Sequence, residues 1–537
     1  MVLKAYTAEQ VRQAERPHLE AGEQLMAVAA RGLAAAAARL LEERAGGVAG
    51  ARVALLVGAG NNGGDALYAG AGLSSRGAEV TAVLTAARHH EEGLAALRGT
   101  GGAVLSLEDD GARACREAAA GSALIVDGIL GTGGSGGLRE PAAGLVRELL
   151  ADRGDAGADR PAVLVCDVPS GLDATTGRLV QPVLPADVTV TFAAPTTGLA
   201  APAAARPVGK LDVVPIGIEE DLPEPGVLVL EDADLPAVWP APGEGDHKYT
   251  RGVLGTVAGS DAYPGAGLMC VRAAVNSGAG MVRYTGGDTL AGLMALECPE
   301  AVRSEHVGAD RVQAWAVGSG AAGPGAEHEI RAALDSGLPV VADAEAIRIL
   351  AGAAGEGERA RASVIMTPHA GELASALEWA VRLSGSAGER LRAAALEAGL
   401  AEEELPEEGF PDRARIEAAP LPWARAAREV LGGTLLLKGG TTVVAGPGVV
   451  YAHTGGSPWL ATAGSGDTLT GMLGAAAACH GARVENGAAP EDDAAWAGVA
   501  AGALLLQRAV SRAEPGPLPP SVAARRIPGE LGRLLGA

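Results

Sequence analysis

The chain has 537 residues, 48% of them hydrophobic and only 3% aromatic, and carries a formal charge of −22. That length exceeds one ordinary core and predicts two to four domains filled mainly by Ala, Val and Leu. The acidic balance argues against nucleic acid or an anionic membrane as partner, because long-range repulsion would oppose both, yet it leaves room for a local basic pocket.

Five cysteines, Cys115, Cys166, Cys270, Cys298 and Cys479, form no Cys-x-x-Cys pair. They predict isolated buried thiols in a reducing cytoplasm, with neither a zinc site nor a disulfide framework. The first 17 residues are charged and lack the apolar stretch of a signal peptide. The apolar run 25–41 contains Arg31 and Arg39 and is too short and too charged to span a bilayer.

Short β runs then alternate with Ala-rich helical runs. Strands are predicted at 53–57, 79–84, 123–126, 162–166 and 188–192. A second series follows at 252–257, 281–284, 312–317, 339–341, 363–366 and 434–437. Such alternation predicts α/β units, each a largely parallel sheet with helices on both faces. The Pro-, Glu- and Asp-rich stretch 219–245 separates the series and predicts domains at 1–224 and 225–537. Residues 378–429, charged and broken by Gly and Pro, read as a helical insertion on the surface.

In the first series three strands end in polar, Gly-rich turns. The first runs into Gly58-Ala59-Gly60-Asn61-Asn62-Gly63-Gly64-Asp65, the next into Asp127-Gly128-Ile129-Leu130-Gly131-Thr132-Gly133-Gly134-Ser135-Gly136-Gly137, and the third into Asp167-Val168-Pro169-Ser170-Gly171. Ligands of open α/β sheets sit beyond the carboxyl ends of strands, so three such turns predict one shared site. Asn62, Asp127 and Ser170 offer hard oxygen ligands suited to a monovalent or other hard cation.

In the second series the turns are Gly259-Ser260-Asp261-Ala262-Tyr263-Pro264-Gly265-Ala266, Gly318-Ser319-Gly320, Thr367-Pro368-His369-Ala370-Gly371-Glu372, Lys438-Gly439-Gly440-Thr441-Thr442 and Ala463-Gly464-Ser465-Gly466-Asp467. The last opens a helix expected at 468–480. Backbone N–H groups at a helix N-terminus make an anion hole. Asp467 beside it is placed to take a hydroxyl's proton while the amides stabilise charge on a transferred phosphoryl group. That pattern alone leaves open a small-molecule kinase acting on a vitamin or sugar hydroxyl. It also leaves open an N-terminal half that only binds nucleotides or protein.

Taken together and in order, the motifs resemble a known family. GSDAYPGA, PEAVRS, TPHAGE, LLKGGTT and LATAGSGD resemble ADP-dependent NAD(P)HX dehydratases of the ribokinase-like fold. GNNGGDA, DGILGTGGSGG and DVPSGLDATTG resemble NAD(P)HX epimerases, with a Rossmann-like three-layer domain. The resemblance implies repair of NADHX and NADPHX, the hydrated nicotinamide cofactors that carry a hydroxyl on C6. The first domain would interconvert R and S epimers, and the second would dehydrate the S form with ADP, giving AMP and phosphate. It implies hydrate binding by Asn61, Asn62, Gly63, Gly64, Asp65, the loop from Gly131 to Gly137 and Asp167, and potassium on Asn62, Asp127 and Ser170. Asp127 and Asp167 are the candidate epimerase acids. It further implies hydrate contacts from Ala258, Gly320, His369 and Asp467, with Asp467 as base, and nucleotide contacts from Lys438, Gly439, Gly440, Thr441, Thr442 and Gly466. Magnesium would accompany ADP. A cytoplasmic homo-oligomer is expected. Departures from the family pattern are Ala66 after GNNGGD, Ser457-Pro458-Trp459 before the anion hole, and Glu345 in ADAEAI.

Overall fold

The computed structural model describes residues 2–134, 136–155, 160–203, 207–513 and 516–536. The chain separates into two compact units, Lys4–Gly226 and Met1–Leu3 with Val227–Ala537.

In the N-terminal unit, seven parallel strands form one sheet. In spatial order they are Ala103–Ser106, Glu79–Leu84, Arg52–Val57, Leu124–Gly128, Ala162–Cys166, Val188–Phe192 and Lys210–Val214. Numbered along the chain, that order is three-two-one-four-five-six-seven, so it reverses between Arg52–Val57 and Leu124–Gly128. Alternation along each strand builds two cores. Val53, Leu55 and Val57 pack with the helices Leu25–Ala45 and Asn61–Ser74 on one face. Ala54 and Leu56 pack with Gly111–Ala120 and Ala142–Asp155 on the other. The result is a helix–sheet–helix sandwich whose switch point lies where the glycine-rich turns emerge. The strands Ala103–Ser106 and Lys210–Val214, not anticipated from the sequence, are its two edges.

In the C-terminal unit, seven strands run parallel in the order Val302–Arg303, Met281–Thr285, Val253–Val257, Ala314–Val317, Val340–Ala342, Ala360–Met366 and Gly432–Leu437. An antiparallel hairpin, Thr442–Gly446 and Val449–His453, extends the sheet. One core lies under Pro264–Asn276, Ser465–Glu485, Ala495–Arg512 and Pro520–Leu535.

The stretch expected as a surface insertion needs correction. Its last helix, Pro420–Leu431, buries Leu421, Trp423, Ala424, Ala426, Ala427, Val430 and Leu431 and runs straight into the strand Gly432–Leu437. Its charges occupy one face and hid an apolar face of helical period.

Candidate functional sites

The N-terminal site is built on backbone that tolerates no side chain. A Cβ on Gly58 would lie 1.9 Å from the Ile129 carbonyl oxygen, and one on Gly63 would lie 2.3 Å from the Gly58 oxygen. The turns after the first and fourth strands therefore touch main chain to main chain, as only glycine allows. Ala66 is fully buried, and a Cβ on Gly128 would come within 2.7 Å of its methyl. The departure at position 66 is thus a tight fit to a glycine opposite.

Asp127, 1% exposed, has both oxygens occupied. Oδ1 accepts from the Ser170 hydroxyl at 2.7 Å and from the Ile129 N–H at 3.2 Å, and Oδ2 accepts from the Ser170 N–H at 3.1 Å. The Leu130 N–H donates to Ser170 Oγ at 3.0 Å, and Asn62 Nδ2 donates to the Leu130 carbonyl at 2.8 Å. Asn62, Asp127 and Ser170 therefore meet around one loop. Burial raises the Asp127 carboxyl above its ordinary range, and these hydrogen bonds pull it part of the way back.

Asp167 sits in the left-handed region at φ +66°. Its Oδ2 accepts from the Thr132 N–H at 3.0 Å and its Oδ1 from the Thr191 hydroxyl at 3.2 Å. This bond ties the loop from Gly131 to Gly137 to the third turn, and Gly134 N–H closes that loop on the Gly131 carbonyl at 2.8 Å. Ser135 lies outside the described residues. Asn61 is exposed at the start of the helix Asn61–Ser74, whose next turn carries the buried Asp65.

At the C-terminal site, Asp467 is the third residue of the helix Ser465–Glu485, which starts at Gly464 in the left-handed conformation, φ +94°. First-turn N–H groups have no partner inside a helix, and the helix dipole favours an anion there. The Ser319 hydroxyl donates to Asp467 Oδ1. Gly318 at φ +102° and Gly320 at φ +63° flank Ser319. A Cβ on Gly318 would lie 1.9 Å from the Asp343 carbonyl oxygen. Lys438 Nζ donates to Asp343 Oδ1 at 3.1 Å and lies 3.9 Å from Glu372 Oε2, while the Thr367 hydroxyl supports Asp343 at 2.8 Å. A Cβ on Gly466 would be 3.5 Å from that ammonium, so Lys438 stands beside the helix start. Burial pushes the Asp467 carboxyl up, the Ser319 hydroxyl draws it down, Asp343 raises it and Lys438 lowers it.

His369 caps the helix Ala370–Leu383, its Nδ1 accepting from the Gly371 N–H at 3.1 Å and the Glu372 N–H at 3.2 Å. An accepting Nδ1 leaves the ring proton on Nε2. His369 is joined to Lys438 by a parallel bridge, which draws the third and fourth turns together. Ala258 is buried at the end of Val253–Val257, where Gly259 N–H donates to the Ser319 carbonyl at 2.8 Å. Gly439 and Gly440 are exposed at the tip of the turn, and Thr441 and Thr442 lead into the hairpin. Trp459 is exposed on a single helical turn capped by the Ser457 hydroxyl, and Glu345 pairs with Arg348. The sequence reading assigned no role to Ser319, Asp343, Thr367 or Glu372. Each lay inside a motif it had singled out, but their pairing spans 148 residues for Ser319–Asp467 and 95 for Lys438–Asp343.

Known families match both units. The family described as YjeF-related protein N-terminus matches residues 22–198, and the one described as NAD(P)H-hydrate dehydratase matches residues 254–518. A bifunctional NAD(P)H-hydrate repair enzyme of Mycobacterium tuberculosis is 39% identical over 479 residues, covering 88% of each chain. The chain belongs to the bifunctional NAD(P)H-hydrate repair enzymes.

An NAD(P)H-hydrate epimerase of Clavibacter michiganensis is 41% identical over 226 residues, covering 41% of this chain and 93% of that one. A solved ADP/ATP-dependent NAD(P)H-hydrate dehydratase of Bacillus subtilis, co-crystallised with ATP/Mg2+, is 22% identical with a TM-score of 0.43, covering 57% of this chain and 98% of that one. The family matches and these relatives make the N-terminal unit of this repair enzyme its epimerase domain and the C-terminal unit its dehydratase domain. No single helix among the described residues is long and apolar enough to cross a membrane.

Proposed function

We propose that the two units act in series on hydrated nicotinamide dinucleotides. The N-terminal unit interconverts the R and S epimers of NADHX and NADPHX. The C-terminal unit returns the S epimer to NADH or NADPH, with ADP as phosphoryl donor and AMP and phosphate as products. The observation that carries this reading is Asp467, held by Ser319 at a helix start beside Lys438.

Hydroxide is a poor leaving group and phosphate a good one. Asp467 takes the proton of the C6 hydroxyl, whose oxygen attacks the β-phosphorus of ADP as the bond from that phosphorus to AMP breaks. The C6–O bond then breaks, phosphate leaves with the electron pair, and a C5 proton passes to it as the C5=C6 double bond forms. The Gly466 amide, its neighbours and Lys438 stabilise charge on the transferred group. Lys438 to Thr442 hold the nucleotide, and Ala258, Gly320 and His369 line the hydrate. Magnesium would neutralise charge on the phosphates. The carboxylates beside Lys438 already pair with it, and no group of three or more His, Cys, Asp or Glu among the described residues is arranged for a metal. That fits an ion held chiefly by the nucleotide.

In the epimerase site, Asn61 to Asp65, Gly131 to Gly137 and Asp167 bind the hydrate. Asp127 is buried and every donor it meets is neutral, so a monovalent cation held with Asn62 and Ser170 would supply compensating charge. Potassium fits that oxygen-rich ring.

The test is to incubate the full chain with mixed R and S hydrates plus ADP, with ATP as comparison, and follow the absorbance of the reduced ring. Complete recovery is expected with ADP. Recovery that stops at the S fraction would remove the epimerase, and none at all would remove the dehydratase.

A further inference from the structure

Three acids from separate segments of the N-terminal unit converge on one end of its sheet. Asp65, 8% exposed, stands in the second turn of Asn61–Ser74, and its Oδ1 is buried without a hydrogen-bond partner. Asp167 follows the strand Ala162–Cys166 and is held by Thr132 and Thr191. Glu15 lies on the helix Ala8–Glu20, whose Arg12 donates to the Thr132 carbonyl at 3.3 Å and so ties that helix to the same loop.

The strand Leu124–Gly128 lies between the strand that leads to Asp65 and the strand that ends at Asp167. The two acids therefore reach the crevice from either side of it. Charged and titratable groups facing Asp65 are Asp167 and Glu15, with the Cys166 thiol behind them. Arg12 is the cation acting on Glu15. Burial pushes the Asp65 carboxyl up to about 8, and the charges of Asp167 and Glu15 add to it. Burial likewise raises Asp167 and Glu15. Asp127 has both oxygens engaged and is left to its structural ring.

We propose that Asp65 is the proton donor and Asp167 the proton acceptor of epimerisation, a carboxyl pair sharing one proton, with Glu15 as the positioning residue that sets the donor's strength. The inference rests on the epimerase reading above. C6 of the hydrate carries its hydroxyl next to the ring nitrogen. Asp65 gives its proton to that hydroxyl. The C6–O bond breaks, its electron pair leaves with the oxygen as water, and the nitrogen lone pair forms a C6=N double bond. Water then adds to the opposite face. Its lone pair forms the new C6–O bond, the π pair returns to nitrogen, and its surplus proton passes to Asp167. One water leaves and one enters, and the proton ends on the other carboxyl, the arrangement the reverse direction needs. Such a pair titrates as a unit.

The experiment measures R-to-S conversion by the full chain without ADP, across pH. Wild-type rate is expected to fall as pH rises through about 8, where the pair loses its shared proton. Asp65→Asn, which keeps the size of the side chain, is expected to lower kcat by about 10²–10⁴-fold with KM little changed. Glu15→Gln removes a charge that holds the donor's proton on, so the alkaline limb is expected to move to lower pH. A wild-type rate in Asp65→Asn, or an alkaline limb that Glu15→Gln leaves in place, would overturn the assignment. No epimerisation by the wild-type chain at any pH would instead overturn the epimerase reading itself.

Discussion

Among the described residues, the acids Asp65, Asp127 and Asp167 of the proposed epimerase site form no ion pair, and Asp127 and Asp167 are held by neutral donors. In the proposed dehydratase site Lys438 lies 3.1 Å from Asp343 and 3.9 Å from Glu372, next to the helix start that carries Asp467. Both sites use the same geometric device, glycine-rich turns at the carboxyl ends of parallel strands. They differ in whether a side chain supplies positive charge. Without one, burial raises the Asp65, Asp127 and Asp167 carboxyls, the direction that suits moving protons to and from a hydroxyl. With an ammonium and free helix amides added, the same kind of turn becomes a place for phosphate.

The largest expected effect separates the two sites. Asp467→Asn should abolish dehydration, by about 10²–10⁴-fold or more, while R-to-S conversion persists. Near-normal dehydration by that variant would remove Asp467 as base. A smaller effect probes the other side. Asp167→Ala should slow R-to-S conversion by about 10²-fold, and Asp127→Ala should slow it less while blunting any response to potassium. Unchanged rates in both variants would dissolve the proposed epimerase site.

The smallest effect is on stability. A carboxyl whose proton is held more tightly in the folded state lends stability that is complete below its unfolded value, about 3.9. That stability is lost as pH rises toward the folded value, about 8 for Asp65. Thermal melts of the full chain should thus fall across that window, and Asp65→Asn should flatten the fall by several degrees. A parallel pH trend in both proteins would show that Asp65 carries no such burden.

Much of this was legible before the fold was known. The interior strands are continuous apolar runs because both of their faces are covered, and Val53, Leu55 and Ala54 show why. The turns announced themselves through glycines that the fold uses for main-chain contact, as at Gly58 and Gly318. Edge strands such as Ala103–Ser106 were not legible, since an edge is only partly buried and its pattern is weak. The partners of Asp467 and Lys438 were hidden for another reason. Ser319 and Asp343 follow different strands, and only sheet order brings them to the helix start. Glu15 gave no signal, because one acid on an amphipathic helix looks like any solvated residue.

In the floor of the proposed epimerase crevice, Gly58 and Gly63 press on main chain and Gly128 on the Ala66 methyl, so none of these three glycines admits a side chain. Its contour at these positions is a property of the backbone. A preference between the two hydrates would therefore be set in the walls, on residues such as Asn61 and Thr132, rather than at these three glycines.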